Sequence, residues 1–235
     1  MLNPGQMSQV AEIDGDYPDA ISKHNPDATF TSRGCIRSCK FCAVPKMEGK
    51  LVELDDWPVR PIVCDNNFLA CSRNNFDRVI DRLKPLKCVD FNQGLDARQL
   101  TKYHAARLSE LDLYAVRLAW DHSKIENEFM AAYEILRAEG FPARMIRVYV
   151  LIGFNDTPDD ALYRLEAFKA LGSRPNVMRY QPLDSETRNS YVSPSWSDRL
   201  LKHFARYWNR QAWLEHVPFA EYETSGFRYT TVSSE

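Results

Sequence analysis

Long apolar runs and a strong excess of one charge are both missing from this 235-residue chain. No segment approaches the roughly 20 apolar residues of a membrane-spanning helix. The N-terminal Met-Leu-Asn-Pro-Gly-Gln lacks the charged start and apolar core of a signal peptide. The net charge of −2 gives no electrostatic footprint for tight non-specific binding to nucleic acid. We therefore expect a cytoplasmic protein with no membrane partner, and nucleic acid is not the favoured partner.

Cysteine is also scarce, but three of the six cysteines crowd into eight positions. Cys35, Cys39 and Cys42 have the spacing Cys-x3-Cys-x2-Cys within Thr-Ser-Arg-Gly-Cys-Ile-Arg-Ser-Cys-Lys-Phe-Cys. Thiolates this close on one loop can hold a single metal centre. Because a four-iron cluster normally takes one thiolate per iron, three thiolates leave one iron open to a small molecule.

Other interpretations of the three cysteines remain. A zinc knuckle needs a fourth ligand, which His24 or Cys64 could supply. Disulfides need an oxidising compartment, which nothing in the sequence suggests. Buried, inert thiols are common but rarely cluster this tightly. A zinc-stabilised binding module without catalysis is the alternative to an iron–sulfur protein.

The cysteine spacing, with Phe41 directly before the last cysteine, resembles the cluster motif of the radical S-adenosylmethionine (radical SAM) enzymes. The flanks Arg-Gly before the motif and Ala-Val-Pro after it are most similar to the branch that holds methylthiotransferases and enzymes with cobalamin-binding-type partner domains. The resemblance implies that Cys35, Cys39 and Cys42 bind a [4Fe-4S] cluster whose open iron chelates S-adenosylmethionine. It also implies a 5′-deoxyadenosyl radical that removes hydrogen from a substrate.

The same resemblance implies which partners the protein has. An external electron donor such as flavodoxin or ferredoxin would reduce the cluster. The substrate would be a small molecule or a modified nucleobase.

Strand-like and helix-like segments alternate along most of the chain, which predicts an α/β fold with a parallel sheet and right-handed crossovers. The expected strands are 28–32, 61–64, 88–91, 113–119, 146–152 and 177–181, and the expected helices are 75–84, 97–111, 125–139, 157–172 and 197–214. The resemblance implies a partial (β/α)6 TIM-like barrel. We expect an irregular lead-in over 1–27, the barrel core over 28–185 and a C-terminal helical extension over 186–235.

Polar residues follow several of these strands, at the edge where parallel sheets place ligands. By resemblance, Asp65, Asn66 and Asn67 after the second strand would bind the amino group of S-adenosylmethionine, although Asp and Asn also favour ordinary turns. After the third strand, Gln93 and Arg98 are candidates for contacts to the cofactor. Asp96 is a further candidate, and it could equally cap the following helix.

Residues of the later strands complete the predicted site. Arg117 needs a carboxylate partner within its apolar strand, which could be that of S-adenosylmethionine or a structural acid. Trp120, Asp121 and Tyr180 are candidates for the substrate pocket, where we group them with Arg117 as catalytic. Gly153 and Phe154 fall where related enzymes contact adenine.

The remaining thiols and the tail are expected to be structural. Cys64, Cys71 and Cys88 match no dense motif, so small buried hydrophobes are favoured over ligands of a second cluster. The tail carries Trp196, Phe204, Tyr207, Trp208, Trp213, Phe219 and Tyr222 between basic residues. Such interleaving can stack nucleic-acid bases, but we expect it to cover the open side of the barrel.

Overall fold

A six-stranded sheet forms the centre of the computed structural model, which describes residues 20–182, 185, 187–210 and 216–230. The strands are β1 (Ala28–Thr29), β2 (Ser32–Arg33), β3 (Val52–Glu53), β4 (Ile62–Val63), β5 (Val89–Phe91), β6 (Leu113–Ala119), β7 (Ile146–Ile152), β8 (Arg174–Arg179), β9 (Glu223–Thr224) and β10 (Phe227–Arg228). The α-helices are α1 (Ala20–His24), α2 (Val44–Met47), α3 (Arg73–Leu83), α4 (Lys102–Leu108), α5 (Glu126–Ala138), α6 (Pro158–Ala170) and α7 (Asp198–Trp208).

The main sheet has the order β1-β4-β5-β6-β7-β8, and every neighbouring pair is parallel. Helices α3, α4, α5 and α6 connect its successive strands from β4 to β8. The predicted α/β class with a parallel sheet is therefore confirmed, and the architecture is compatible with a TIM-like partial barrel. Two small antiparallel pairs, β2 with β3 and β9 with β10, lie outside this sheet.

The two faces of the sheet differ in chemistry. Along β7, the even-numbered residues from Ile146 to Ile152 are fully buried, whereas Arg147, Tyr149 and Leu151 on the other face are partly exposed. Register places Arg117 of β6 beside Arg147 on this second face. The apolar face packs into the core with the helices, and the polar face carries the charged and partly exposed residues.

Local capping explains where several predicted elements begin or end. Thr157 caps α6 through Asp160 N, as expected. The predicted helix over 97–111 is instead split, because Asp96 caps a short 3-10 turn (Ala97–Gln99) and Thr101 then caps α4. Strand β8, the last strand of the main sheet, begins at Arg174 and not at the expected residue 177.

The ends of the chain differ from the prediction in two places. Part of the lead-in is helical, because α1 occupies Ala20–His24, while residues 1–19 lie outside the described residues. Helix α7 ends at Trp208, although the expected helix extended to residue 214. Trp213 also lies outside the described residues.

The tail packs its aromatic rings into the fold beside the edge strand β8. Trp196, Phe204, Tyr207, Trp208, Phe219 and Tyr222 are all buried. The Asn209 side chain pairs with the backbone of Val177 in β8, both accepting from its N–H and donating to its carbonyl. Met178, which pairs with Leu151 on the polar face of the sheet, stays 52% exposed. The tail therefore covers the free edge of β8, and Met178 on the polar face of that strand is left uncovered.

In the part of the chain that the structure describes, no helix combines the length and the apolar character needed to cross a membrane.

Replacing Asn209 with Ala should lower the free energy of unfolding by about 1–3 kcal/mol, because two hydrogen bonds to the buried edge of β8 are lost. Urea denaturation measures the change, with the exposed neighbour Arg210→Ala as the matched control. Equal stability of the two variants would contradict a role for Asn209 in closing the sheet edge.

Candidate active site

The cysteine loop turns sharply at Gly34, directly before the first cysteine. Gly34 has a φ of +74°, and a Cβ at this position would lie 2.1 Å from the Lys50 carbonyl oxygen. Only glycine fits such a backbone approach. Cys35 N then donates to the Gly49 carbonyl at 3.2 Å, so the loop closes onto the segment that follows α2.

A carboxylate from α2's C-terminal end holds this loop. Glu48 Oε2 accepts hydrogen bonds from Arg33 Nε at 2.9 Å, Gly34 N at 2.9 Å and Asn66 Nδ2 at 2.8 Å. Burial opposes ionisation, but these donors together lower the pKa of Glu48. No sequence pattern indicates this role of Glu48, because its partners depend on the path of the loop in space.

Asp65, predicted to bind the cofactor's amino group, contacts the start of the cysteine loop. Its Oδ1 accepts from Thr31 N at 2.6 Å, and its Oδ2 accepts from Thr31 Oγ1 at 2.5 Å and Ser32 Oγ at 2.8 Å. The side chain is buried. Since both oxygens already have donors, we expect Asp65 to position the loop.

Asn67 is the member of the triplet that reaches the cysteines. Its Nδ2 lies 3.4 Å from Cys35 Sγ and 3.4 Å from Asp96 Oδ2. Its Oδ1 is buried and has no hydrogen-bond partner among the described residues. Such an unsatisfied acceptor is costly unless a ligand donates to it.

Asp96 forms ion pairs with two arginines, one of which lies within the cysteine loop. Asp96 Oδ2 accepts from Arg37 Nε at 2.7 Å, and Oδ1 accepts from Arg98 Nε at 2.7 Å. Burial opposes it, but the hydrogen bonds from Arg98 and Arg37 lower the pKa of Asp96. Asp96 thus both caps its turn, as the alternative interpretation held, and orients Arg98 toward Cys39.

The three thiols of the motif are half-buried and are not paired in disulfides. Burial raises the pKa of Cys39, whereas the nearby Arg98 acts in the opposite direction. Burial also raises the pKa of Cys42, with smaller contributions from the Cys39 and Cys35 thiolates. Across residues 20–230, excluding the undescribed gaps, no three His, Cys, Asp or Glu side chains converge at metal-binding geometry.

A cavity of about 670 Å³ opens beside the cysteine loop, at the carboxyl ends of β6 and β7. This volume is within the range of small-molecule sites. Its lining residues are Lys40, Phe41, Asp121, His122, Ser123, Lys124, Leu151, Phe154, Asn155, Asp156, Thr157 and Asp160. Among the predicted site residues, Phe41, Asp121 and Phe154 therefore meet in one cavity.

Aromatic rings and one acidic side chain determine the chemistry of this cavity. The Phe41 and Phe154 rings meet edge-on at 5.8 Å, and Phe154 contacts Tyr180 at 4.7 Å. Burial raises the pKa of Asp121 to about 6, although Arg164 and Arg98 lower it. A carboxyl that titrates near neutral pH can accept or release a proton in this pocket.

Arg164, which the sequence analysis missed, fixes the strand ends that form the cavity. It is fully buried, and its Nη1 donates to the carbonyls of Trp120 at 2.8 Å and Leu151 at 3.1 Å. Its Nη2 pairs with Asp156 at 2.8 Å. A mid-helix arginine is usually exposed, so only the fold reveals this one.

Several residues predicted to belong to the site make their contacts with other parts of the fold or face solvent. Arg117 makes a bidentate ion pair with Asp90 at 2.6–2.7 Å, which is the structural acid of the alternative interpretation. Trp120 is fully buried and stacks on Phe129 at 4.5 Å, so it belongs to the core. Gln93 is exposed.

Gly153 is the other glycine that the site requires. Its φ is +79°, and a Cβ here would lie 2.8 Å from Leu201 of α7. Its N–H donates to Asp156 Oδ1 at 2.8 Å. Gly153 therefore lets the tail helix pack against the end of β7.

The other cysteines do not share one environment. Cys64 is buried, Cys71 is half-buried with its pKa raised by burial to about 11, and Cys88 is exposed. The expectation of buried thiols is wrong for Cys88, because it sits in a turn with a φ of +55°. His24, the other candidate zinc ligand, is exposed on α1.

No protein-family model matches this chain, and no curated protein resembles it significantly.

Replacing Glu48 with Gln should loosen the cysteine loop, because the hydrogen bonds from Arg33, Gly34 and Asn66 lose their charged acceptor. A charge-assisted hydrogen bond contributes about 1.5–3 kcal/mol, so local opening should rise about ten- to a hundredfold. Alkylation of Cys35 in the cluster-free protein, followed by mass spectrometry, measures this rate. Glu110→Gln is the control, since Glu110 pairs only at the surface with Arg107 and Lys84. Equal alkylation rates in the two variants would show that Glu48 does not stabilise the loop.

Replacing Asp121 with Asn should stabilise the cluster-free protein at pH 7.5 but not at pH 4. The raised pKa of Asp121 means that the folded state holds this proton more tightly than the unfolded chain, so stability falls as the pH rises from about 4 to about 6. The gain at pH 7.5 is at most about 3 kcal/mol. Denaturation at both pH values, with exposed Asp112→Asn as the control, tests it. A variant no more stable than the parent at pH 7.5 would show that Asp121 ionises normally.

Proposed function

We propose that this protein is a radical SAM enzyme that binds one [4Fe-4S] cluster through Cys35, Cys39 and Cys42. The observation that supports this proposal is the position of the three thiols. They share one loop, held by hydrogen bonds to Asp65 and Glu48, that follows the first strand of a six-stranded parallel sheet. The same loop borders a ligand-sized cavity. Parallel α/β sheets bind ligands at this edge.

The donor set fits such a cluster. The three sulfurs come from one short loop, and Arg37 N–H and Asn67 Nδ2 point at Cys35 Sγ at 3.3 and 3.4 Å. Hydrogen bonds to ligating sulfur tune the reduction potential of iron–sulfur clusters. The raised pKa values of Cys39 and Cys42 mean that the metal would take the place of a proton on each sulfur, as metal ligation requires.

When bound, the cluster and S-adenosylmethionine would together supply the 5′-deoxyadenosyl radical, and the protein would supply binding and orientation. Phe41 and Phe154 offer aromatic surface to the cofactor's adenosine. Asn67 Oδ1 offers a buried acceptor for its ammonium group. Asp65 and Glu48 keep the loop in place around it.

Asp121, Lys40 and Lys124 give the cavity polar groups for a substrate. Above about pH 6 the Asp121 carboxylate can accept a hydrogen bond from a hydroxyl or amine and hold it against the aromatic wall. A small molecule or a modified nucleobase suits this mixture of aromatic, acidic and basic groups, and an external flavodoxin- or ferredoxin-like donor would supply the electron. Tyr180 extends the aromatic wall through its contact with Phe154.

Anaerobic reconstitution should yield a brown protein with about four irons and four sulfides per chain. The Cys35→Ala/Cys39→Ala/Cys42→Ala variant should lose both the iron and the 5′-deoxyadenosine formed from S-adenosylmethionine with dithionite. The matched control is Cys71→Ala/Cys88→Ala, which removes thiols outside the motif and should keep both.

Two outcomes would contradict this proposal. A colourless protein that binds one zinc through the same cysteines would identify a zinc-stabilised module. Full iron content in the motif variant would place the metal elsewhere in the chain.

A further inference from the structure

Helix α7 has two chemically different faces. One face carries the apolar residues Leu201, Phe204 and Trp208, which are fully buried against the sheet edge and α6. Arg199, Lys202, His203 and Arg206 follow the spacing i, i+3, i+4 and i+7, which aligns them along one side of a helix. Part of this side also packs on the segment that follows α7, because His203 contacts aromatic rings there.

This basic side borders a cavity of about 210 Å³ between α7 and the β9–β10 hairpin. The four basic residues line it together with Thr224, Ser225 and Phe227 from the hairpin. Among the described residues, no Asp or Glu lines it. The acid closest along the helix, Asp198, is already paired with Lys202 at 2.6 Å and with Arg179 at 3.0 Å.

The walls of the cavity are organised by internal contacts. Arg199 Nη2 donates to the Ser225 carbonyl at 2.8 Å, and its guanidinium lies 4.7 Å from the centre of the Phe227 ring. These contacts hold the hairpin turn over the helix and leave Arg206 exposed at the rim. A site whose groups are held in advance loses less entropy when a ligand binds.

One residue that lines this cavity has a buried polar atom without a partner among the described residues. His203 is 2% exposed, and its Nδ1 lies 2.8 Å from Thr224 Oγ1. Its Nε2 is buried without a hydrogen-bond partner among the described residues. If the Thr224 hydroxyl donates to Nδ1, Nε2 carries the proton and can donate to an anion. Burial, and then Arg199, lower the pKa of His203, so the neutral ring is the form that would do so.

We propose that this cavity is a binding site for a phosphate group, held by Arg199, Lys202, Arg206 and the Nε2–H of His203. Arginine and lysine are the side chains that most often recognise phosphate, and the hydroxyls of Thr224 and Ser225 can add hydrogen bonds. The volume is below that of sites for whole drug-sized ligands, so the cavity suits the phosphate rather than a complete nucleotide. This site is independent of the proposed radical chemistry.

The phosphate can come from a small nucleotide or from a polynucleotide backbone, and titrations separate the two. The protein, as isolated with any cluster it carries, is labelled with [13Cε1]-histidine, which gives one NMR signal for each of its five histidines. The His203 signal is assigned with His203→Asn. Inorganic phosphate, adenosine 5′-monophosphate and a 12-nucleotide oligothymidylate are then titrated separately.

Each titration is repeated with Arg206→Gln and with Arg144→Gln, a control that removes one exposed positive charge elsewhere. We expect phosphate ligands to shift the His203 signal and Arg206→Gln to weaken that binding about tenfold, while Arg144→Gln leaves it unchanged. Because Arg206 is exposed, melting temperatures should be equal. An oligothymidylate that binds at least tenfold more tightly than the mononucleotide indicates a polynucleotide backbone, and comparable affinities indicate a small phosphorylated ligand.

The proposal fails if none of the three probes moves the His203 signal. It also fails if all of them move it equally in the parent and in Arg206→Gln, because the phosphate would then bind without the pocket's arginine.

Discussion

Two buried or half-buried carboxylates, Glu48 and Asp65, hold the backbone around the first cysteine, and the candidate site depends on them. Asp65 accepts hydrogen bonds from Thr31 and Ser32 before the loop. Glu48 accepts from Gly34 within it and from Asn66 after the neighbouring strand. A loop of this kind has few apolar contacts of its own, so charge-assisted hydrogen bonds fix its path.

The cavity depends on a second buried charge. Arg164 projects from α6 and joins the carbonyls at the ends of β6 and β7 to the carboxylate of Asp156. A guanidinium with no exposed surface is tolerated only because carbonyl and carboxylate acceptors surround it. The same arrangement sets the electrostatic environment of Asp121, where burial outweighs the nearby cations and brings the carboxyl into the neutral pH range.

The tail links stability to the site through one small contact. Leu201 of α7 packs where Gly153 has no side chain, so the helix that closes the edge of β8 also fixes the turn after β7. The aromatic residues of α7 are buried by this packing, which gives them a structural role. Its basic side borders a separate cavity with the β9–β10 hairpin, and that juxtaposition has no counterpart in the sequence pattern.

The α/β class, the six parallel strands and the polar residues at their ends could be predicted from the sequence, because periodicity and strand–helix alternation are local properties. The cysteine spacing and the Thr157 cap could be read there as well. The role of each polar residue, by contrast, depends on the tertiary structure. Arg117 pairs with Asp90 twenty-seven positions away, Trp120 turns into the core, and Asp65 binds the loop that precedes it. The reason is that a buried polar group is satisfied by whichever partner the fold brings near, and distance along the chain does not specify that partner.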